Sequence, residues 1–452
     1  MRLRGIGPWR HRVLHRLLTS SFIACCVICL LCLSITSFSG CLSNKPEPLY
    51  GERITIQAEE ISTVLDEAEE RFTSYYLTNG SSFDSSMEMI PQLMASRLLA
   101  ELAQSNASLL TCHQENLETI FSQGFVENAT YGYLRFQNMS TLGITALFLQ
   151  TLLCSPFYEN SYRMEATALA STLLLLQNDN GSFQRQYPNE DVMASQPLYT
   201  EGEVAWAIIS LDTYATATGN ITYRTAASRS QSCYLKQLTT IANASRTSLI
   251  PWYTFSLSAM YWSTGNLSFA VAILPLNDEL LPVQDRITGD TLGRFTMDQQ
   301  PDSTVSSLYD TALCTRAFLH AYQMATLFND TARQTSFRTA ALAGLYYLIQ
   351  RYYEFSEQPT SAAQDLLMIN ATRLLELTLM IETFNDALTT FSDTGVFDWE
   401  FDYYPELDLV IRRTPPEPDP NDPSKWYALT FGMVLVIIFL FAIYGINRLR
   451  RK

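Results

Sequence analysis

The sequence has 452 residues, of which 47% are hydrophobic and 17% charged, so it can form one large domain or two of ordinary size. The apolar residues are mostly dispersed, which argues against a disordered chain and against many membrane spans. All 45 acidic residues lie between Cys41 and Trp426, where they face only 21 basic residues and leave a net charge of −24. This sign argues against nucleic acid as a partner, because phosphates bind to basic surfaces.

The first 41 residues predict a membrane-targeting segment. Five arginines between Arg2 and Arg16 precede a largely apolar run over 17–38, which is the order of a signal peptide. The run ends at Phe38-Ser39-Gly40-Cys41, which resembles a prokaryotic lipobox and makes Cys41 a candidate lipidation site. Phe38 replaces the usual aliphatic residue, and the run is long enough to span a bilayer, so an uncleaved signal anchor is the alternative.

The C-terminal end predicts a second membrane segment. Residues 426–447 are apolar, carry aromatic residues near their edges and precede a basic tail at 448–452, as in a transmembrane helix with a cytoplasmic tail. Residues 401–425 are rich in proline and acidic residues and predict a semi-rigid stalk. We therefore expect a protein of the cell membrane whose main domain, residues 42–400, is extracellular.

Ten of the 19 asparagines begin an N-x-S/T sequon, which predicts glycosylation of an exported surface protein. With the lipobox-like start, this density is most typical of an archaeal surface protein, although a eukaryotic membrane protein would carry sequons too. The candidate glycosylation sites are Asn79, Asn106, Asn128, Asn138, Asn180, Asn220, Asn243, Asn266, Asn329 and Asn370.

Four cysteines lie in the middle section, at Cys112, Cys154, Cys233 and Cys314. They allow two disulfides in three possible connectivities, or they are small buried side chains in helices. No two are close in sequence, so a zinc site is not expected.

Most of residues 54–393 carries a helical period. Val204, Ile208, Leu211 and Ala215 recur at steps of four, three and four, and a second series comprises Leu313, Ala317, Ala321 and Met324. Asparagine and glycine close both segments, as helix stops do. The sequence therefore predicts an all-α domain of roughly ten to twelve helices with short links.

Two stretches share landmarks at matched spacing, which indicates an internal repeat of roughly 100 residues. The Gln-to-Tyr spacing is 22 residues in one copy and 25 in the other. A weaker echo begins near Gln123-Gly124-Phe125. The matched residues are Gln177, Gly181, Phe183 and Tyr199 in the first copy and Gln284, Gly293, Phe295 and Tyr309 in the second.

With these landmarks, the chain resembles the α/α-toroid superfamily, in which inner and outer helices alternate around a central funnel. The likeness covers residues 140–385 and is strongest from Pro251-Trp252-Tyr253 through Gly293-Arg294-Phe295 to Tyr309-Asp310. It is closest to the six-hairpin glycosidases and the helical domain of glucuronyl epimerases. The resemblance implies an α/α toroid of helical hairpins more strongly than it implies a reaction.

Glycosidic cleavage needs two carboxyl groups that flank the sugar. In a toroid, the loops that enter inner helices reach the mouth of the funnel, and the repeat places Glu201, Glu203 and Asp310 at such helix starts. We therefore take Glu201 and Asp310 as the candidate acid/base pair, with Glu203 as a third candidate. The alternative is that these carboxylates lie in first turns because they complement the helix dipole.

Aromatic and basic residues near the same positions are candidate sugar ligands. Tyr199, Tyr309 and Trp252 are placed to stack on sugar rings, whereas core packing is the better interpretation of Trp206 and Trp262. Arg185 and Arg294 lie near the Gly-x-Phe elements and are candidates to bind a uronate carboxylate, with surface salt bridges as the alternative.

No metal or cofactor is expected. Only His113 and His320 lie outside the N-terminal segment, and His320 is more typical of a structural histidine than of a ligand. The sequence has no H-E-x-x-H, G-x-S-x-G, Walker or Rossmann motif. The leading hypothesis is a membrane-anchored carbohydrate-active protein, a glycoside hydrolase or uronate epimerase acting on surface polysaccharide. The alternative is a non-catalytic glycan- or protein-binding scaffold of the envelope.

Overall fold

A computed structural model describes ten segments of the chain. The chain divides after Tyr403 into two units, and the second lies outside these segments. So do the predicted signal segment with Cys41, the transmembrane helix, the basic tail and the predicted stalk beyond residue 402, whose first two residues belong instead to a described strand. No helix within the described segments is long and apolar enough to cross a membrane. The segments are 53–79, 89–127, 131–135, 141–184, 202–238, 247–285, 292–295, 307–356, 371–393 and 399–402.

Twelve α-helices account for most of the described residues, in line with the predicted ten to twelve. They alternate between an inner and an outer position. The outer helices are α1 (Ala58–Asn79), α3 (Ala107–Gly124), α5 (Arg163–Leu175), α7 (Ile221–Leu238), α9 (Leu267–Asp278) and α11 (Thr331–Ser356). The inner helices are α2 (Met89–Ala103), α4 (Leu142–Cys154), α6 (Glu203–Thr218), α8 (Ile250–Thr264), α10 (Ser307–Leu327) and α12 (Ala371–Asp393).

The six inner helices form a closed ring in the order α2, α4, α6, α8, α10, α12 and back to α2. Neighbours in the ring are parallel. Arg316 of α10 meets Asp386 of α12, and Gln323, two turns further along α10, meets Thr390 further along α12. Each outer helix packs against the inner helix of its own hairpin, and α1 packs against α12. This architecture is the predicted α/α toroid.

Short turns join each inner helix to the following outer helix, and all of them lie at the end of the ring where the inner helices finish. We call this the turn end, and the opposite end, where chain segments enter the inner helices, the loop end. Gly219 and Gly265 close α6 and α8 in the left-handed conformation, with φ of 69° and 68°. The glycine and asparagine helix stops predicted after α6 and α10 are therefore confirmed.

A π-helical turn (Tyr158–Tyr162), a 3-10 turn (Leu281–Val283) and two small antiparallel sheets complete the described fold. β1 (Arg53–Ile56) pairs with β4 (Trp399–Asp402), which joins the start of α1 to the chain that follows α12. β2 (Phe125–Glu127) pairs with β3 (Gly132–Leu134) in the connection from α3 to α4.

The internal repeat has a structural cause. In each copy the glutamine forms an isolated β-bridge with the phenylalanine, Gln177 with Phe183 and Gln284 with Phe295. The glutamine amide then donates to the carbonyl of the next outer helix, at Ala226 in α7 and Ala340 in α11, both at 2.8 Å. The repeated residues therefore clamp each loop onto the neighbouring hairpin.

The third copy is present, but its landmarks are displaced from the predicted Gln123-Gly124-Phe125. In this copy Phe125 pairs with Leu134, as the glutamine pairs with the phenylalanine in the other two. Gly132 lies two residues before Leu134 and so corresponds to Gly181 and Gly293. The carbonyl of Gly132 accepts from Thr172 of α5 at 2.5 Å, as that of Gly181 accepts from Ser230 of α7 at 2.7 Å.

The predicted apolar series are buried. All eight residues of the two series in α6 and α10 belong to one continuous core. The four cysteines of the described chain are free thiols on four different helices. Of the two alternatives, small buried side chains in helices is therefore the one that fits Cys112 and Cys314. Cys154 and Cys233 are half-buried. Cys154 donates to Glu101 at 3.6 Å.

A buried charge network closes the ring between its first and last helices. The carboxylate of Glu382 in α12 accepts from Arg97 of α2 through one oxygen and from Arg316 of α10 through the other. Arg316 also donates to Asp386 at 2.7 Å and lies over the ring of Phe255, 5.1 Å from its centre. Burial lowers the pKa of both arginines, but the nearby carboxylates outweigh it and raise the pKa of each.

We expect Glu382→Ala to lower the free energy of unfolding by about 3–5 kcal/mol, because it leaves two largely buried guanidiniums without their shared carboxylate. Glu159→Ala is the matched control. It removes an exposed pair with Arg163 at 3.7 Å, which contributes at most about 0.5 kcal/mol. Denaturant titration of the two variants measures the difference, and equal losses would contradict the role of Glu382.

The clamp glycine Gly293 is a second test of the fold. Its φ is 85°, and a Cβ there would lie 1.8 Å from the carbonyl oxygen of Ala343, so Gly293→Ala combines backbone strain with a backbone clash. We expect a loss of at least about 3 kcal/mol. Gly219 has a similar φ of 69° but open space around it, so Gly219→Ala measures the strain alone, about 1 kcal/mol. Thermal unfolding of both variants separates the two terms.

Candidate functional site

The loop end of the ring brings together the first turns of all six inner helices. Tyr309 and Asp310 lie in the first turn of α10, and both are 8% exposed. Thr311, the next residue, accepts from the backbone N–H of Phe295 at 3.0 Å, which ties the second clamp loop to this helix start. The sequence-predicted position of Asp310 at the start of an inner helix is therefore correct.

Glu203 lies in the first turn of α6 and is fully buried. It is directed toward α4, since a Cβ at Gly143 would lie 2.6 Å from its Cγ. The absence of a side chain at Gly143 is what makes room for the carboxylate. In the ring, α4 and α8 flank α6, so Glu203 points to the side of α6 away from α10 and Asp310.

Three aromatic residues pack together in the first two turns of α6 and α8. Trp206 of α6 and Trp252 of α8 meet edge to face with ring centres 5.1 Å apart, and Trp252 meets Phe255 in the same way at 5.7 Å. Gly202 lets the indole of Trp206 approach, because a Cβ there would lie 2.7 Å from the ring. Both tryptophans are buried, so the packing interpretation of Trp206 is confirmed, and Trp252 shares that environment.

Trp262 contradicts its predicted core position. It lies in the last turn of α8, at the turn end, and is 63% exposed. Ala259 and Phe255, one and two turns earlier on the same face of α8, are only partly buried, so Trp262 continues the less buried side of this helix.

Other predicted ligands are partly accounted for. Glu201, Tyr199 and Arg185 lie outside the described residues. Arg294 is half-exposed and pairs with Asp285 at 3.7 Å, which fits the salt-bridge alternative. His320 has its Nδ1 3.1 Å from the hydroxyl of Ser258, and burial lowers its pKa, as in a structural histidine.

The described segments hold no group of three or more histidine, cysteine or acidic side chains suited to a metal ion. Sequence reasoning missed the network of Arg97, Arg316, Glu382 and Asp386. Its only sequence signal is the pair Glu382 and Asp386, four residues apart on one helix face. Because both carboxylates are held by arginines, the network stabilises the ring and offers no unpaired acid for proton transfer.

Comparisons with known proteins bear on the fold. The sequence matches no protein-family profile, and no curated protein is significantly similar to it. Solved structures do match. An inactive variant of the alpha-1,6-mannanase GH76A of Salegentibacter sp. HEL1_6, in complex with alpha-1,6-mannotetrose, matches 73% of this chain and 99% of its own, with a TM-score of 0.50 and 11% identity.

Two further structures match at lower scores. A GH76 alpha-mannanase of Bacteroides thetaiotaomicron has a TM-score of 0.49 at 10% identity, and the match covers 74% of this chain and 97% of that one. A polysaccharide lyase has a TM-score of 0.45 at 10% identity, with coverage of 72% and 97%. At a TM-score of 0.50, the likeness shows that this chain shares the fold of the Salegentibacter mannanase, in agreement with the all-helical toroid described above.

Proposed function

We propose that this chain is a carbohydrate-active, glycosidase-like protein that binds polysaccharide at the loop end of its toroid. The observation that carries the proposal is the joint placement of an acid and aromatic residues at one end of the ring. Asp310 and Tyr309 begin α10, and Trp252 begins the neighbouring α8. The shared fold with a mannanase supports this reading, and α-1,6-linked mannan is accordingly the first substrate to test.

In this proposal Asp310 and Glu201 form the acid/base pair. One carboxyl group protonates the glycosidic oxygen, and the other acts on the anomeric carbon directly or through water. Glu203 is assigned a positioning role, because its side chain is buried against α4. A uronate epimerase is the less favoured variant, since Arg294 already pairs with Asp285.

The cellular setting is also part of the proposal. We infer that residues 426–447 anchor the protein in the cell membrane, with Cys41 as a lipidation site and the toroid outside. The support is the sequence alone: the basic ends, the apolar runs and the sequons.

A second candidate function is a non-catalytic glycan- or protein-binding scaffold. Burial favours it, because Glu203, Trp252 and Tyr309 present little surface to a ligand. Glycan binding without turnover is the behaviour that separates this candidate from the first.

The test measures reducing-end release and glycan-array binding with the full-length protein in detergent. We expect Asp310→Asn and Glu201→Gln each to lower turnover by about 100-fold or more while binding persists. Asp330→Asn is the matched control, since Asp330 lies at the turn end and pairs with Arg333 at 3.1 Å. Binding without turnover in the parent protein, unchanged in both variants, would replace the enzyme with the scaffold.

A further inference from the structure

The turn end carries exposed apolar side chains that the fold does not cover. Nine large apolar residues are exposed in the described chain, and six of them lie at this end, between 44% and 76% exposed. Exposed apolar residues grouped at one end indicate a surface that something else covers. The six are Met164, Ile221, Trp262, Leu267, Val271 and Leu327.

Sequon asparagines stand beside five of these six residues. Asn220 directly precedes Ile221, Asn266 directly precedes Leu267, and Asn329 follows Leu327 by two residues; all three asparagines are exposed. Val271 lies one turn after Leu267 on the same face of α9. Trp262 lies one turn before Asn266. Met164 is the exception, because the turn before α5 has no sequon.

Two of these turns are nearly identical, Thr218-Gly219-Asn220-Ile221-Thr222 and Thr264-Gly265-Asn266-Leu267-Ser268. In both, a left-handed glycine ends one helix and the asparagine begins the next. The Oδ1 of Asn220 accepts from the backbone N–H of Thr222 at 3.0 Å, and that of Asn266 accepts from Ser268 at 3.0 Å.

This cap geometry leaves the asparagine nitrogen free for modification. The cap uses Oδ1, so Nδ2 of these exposed asparagines takes no part in it. Capping does not by itself require asparagine, because Asp, Ser and Thr cap as well. The hydroxyl of Ser268 also donates to the Oδ1 of Asn266 at 2.8 Å, so it takes part in this cap. The cap recurs at the half-buried Asn106, whose Oδ1 accepts from the N–H of Ser108 at 3.1 Å.

We propose that N-linked glycans on Asn220, Asn266 and Asn329 cover the five exposed apolar residues beside them at the turn end. The co-reactant is an oligosaccharide activated by a phosphate leaving group at its anomeric carbon. The bond from that carbon to the phosphate oxygen breaks, a bond from the carbon to Nδ2 forms, the phosphate leaves as an anion and Nδ2 gives up one proton to a base. The apolar C–H faces of the first sugars then lie on Ile221 and Leu267.

Matched variants separate glycosylation from capping. The full chain is produced in a host that glycosylates exported proteins, beside a reporter with one known sequon. Asn266→Asp keeps the cap oxygen and removes the acceptor nitrogen, Ser268→Ala keeps the asparagine and breaks the sequon, and Ser268→Thr preserves both. We expect peptide mass spectrometry to find a glycan in the parent and in Ser268→Thr only.

Hydroxyl-radical footprinting tests the covering itself. We expect oxidation of Trp262 to rise several-fold in Asn266→Asp, while oxidation of Met164, at the same end but without a sequon, stays unchanged. Unmodified Asn220 and Asn266 beside a modified reporter would overturn the proposal. So would glycosylated Asn266 with Trp262 oxidised equally in parent and variant. Neither result depends on the proposed carbohydrate activity.

Discussion

Closure of one ring of six parallel helices is the constraint on which the structure depends. The ring joins α2 to α12, two helices that are far apart in the sequence. The contact between Arg97 and Glu382 spans 285 positions. Closing so long a loop costs chain entropy, which the packing of α2 against α12 offsets. The shared carboxylate of Glu382 adds to this packing, because it holds arginines from both neighbours of α12 at once.

The parallel ring also sets the electrostatics of its two ends. Six inner helices direct their N-termini to the loop end, where their dipoles favour negative charge, and Glu203 and Asp310 occupy first turns there. The outer helices run the other way and partly offset this field. The same placement that a catalytic acid would use is therefore also favourable for stability, so position alone does not separate the two roles.

Much of the fold was predictable because it repeats. Val204 and Leu313 follow the helical period. Gln177 and Gln284 recur because each donates the same hydrogen bond to an outer helix of the next hairpin. Local and nearest-neighbour interactions of this kind leave a spacing in the sequence. The displaced third copy shows where prediction from a repeat fails. Gly132 keeps the contact with α5, but a pair of strands replaces the glutamine, so the residue types no longer match those of the other two copies.

The rest of the site was not predictable, since it depends on contacts between distant elements. No residue near Glu382 in the sequence indicates that Arg97 contacts it. The need for glycine at position 143 is visible only in the structure, where Glu203 packs against it. Trp262 shows the converse error, because its residue type indicated packing while its place in the last turn of α8 left it exposed. Helical period predicts which side of a helix is buried, but the end of the helix decides how far that burial extends.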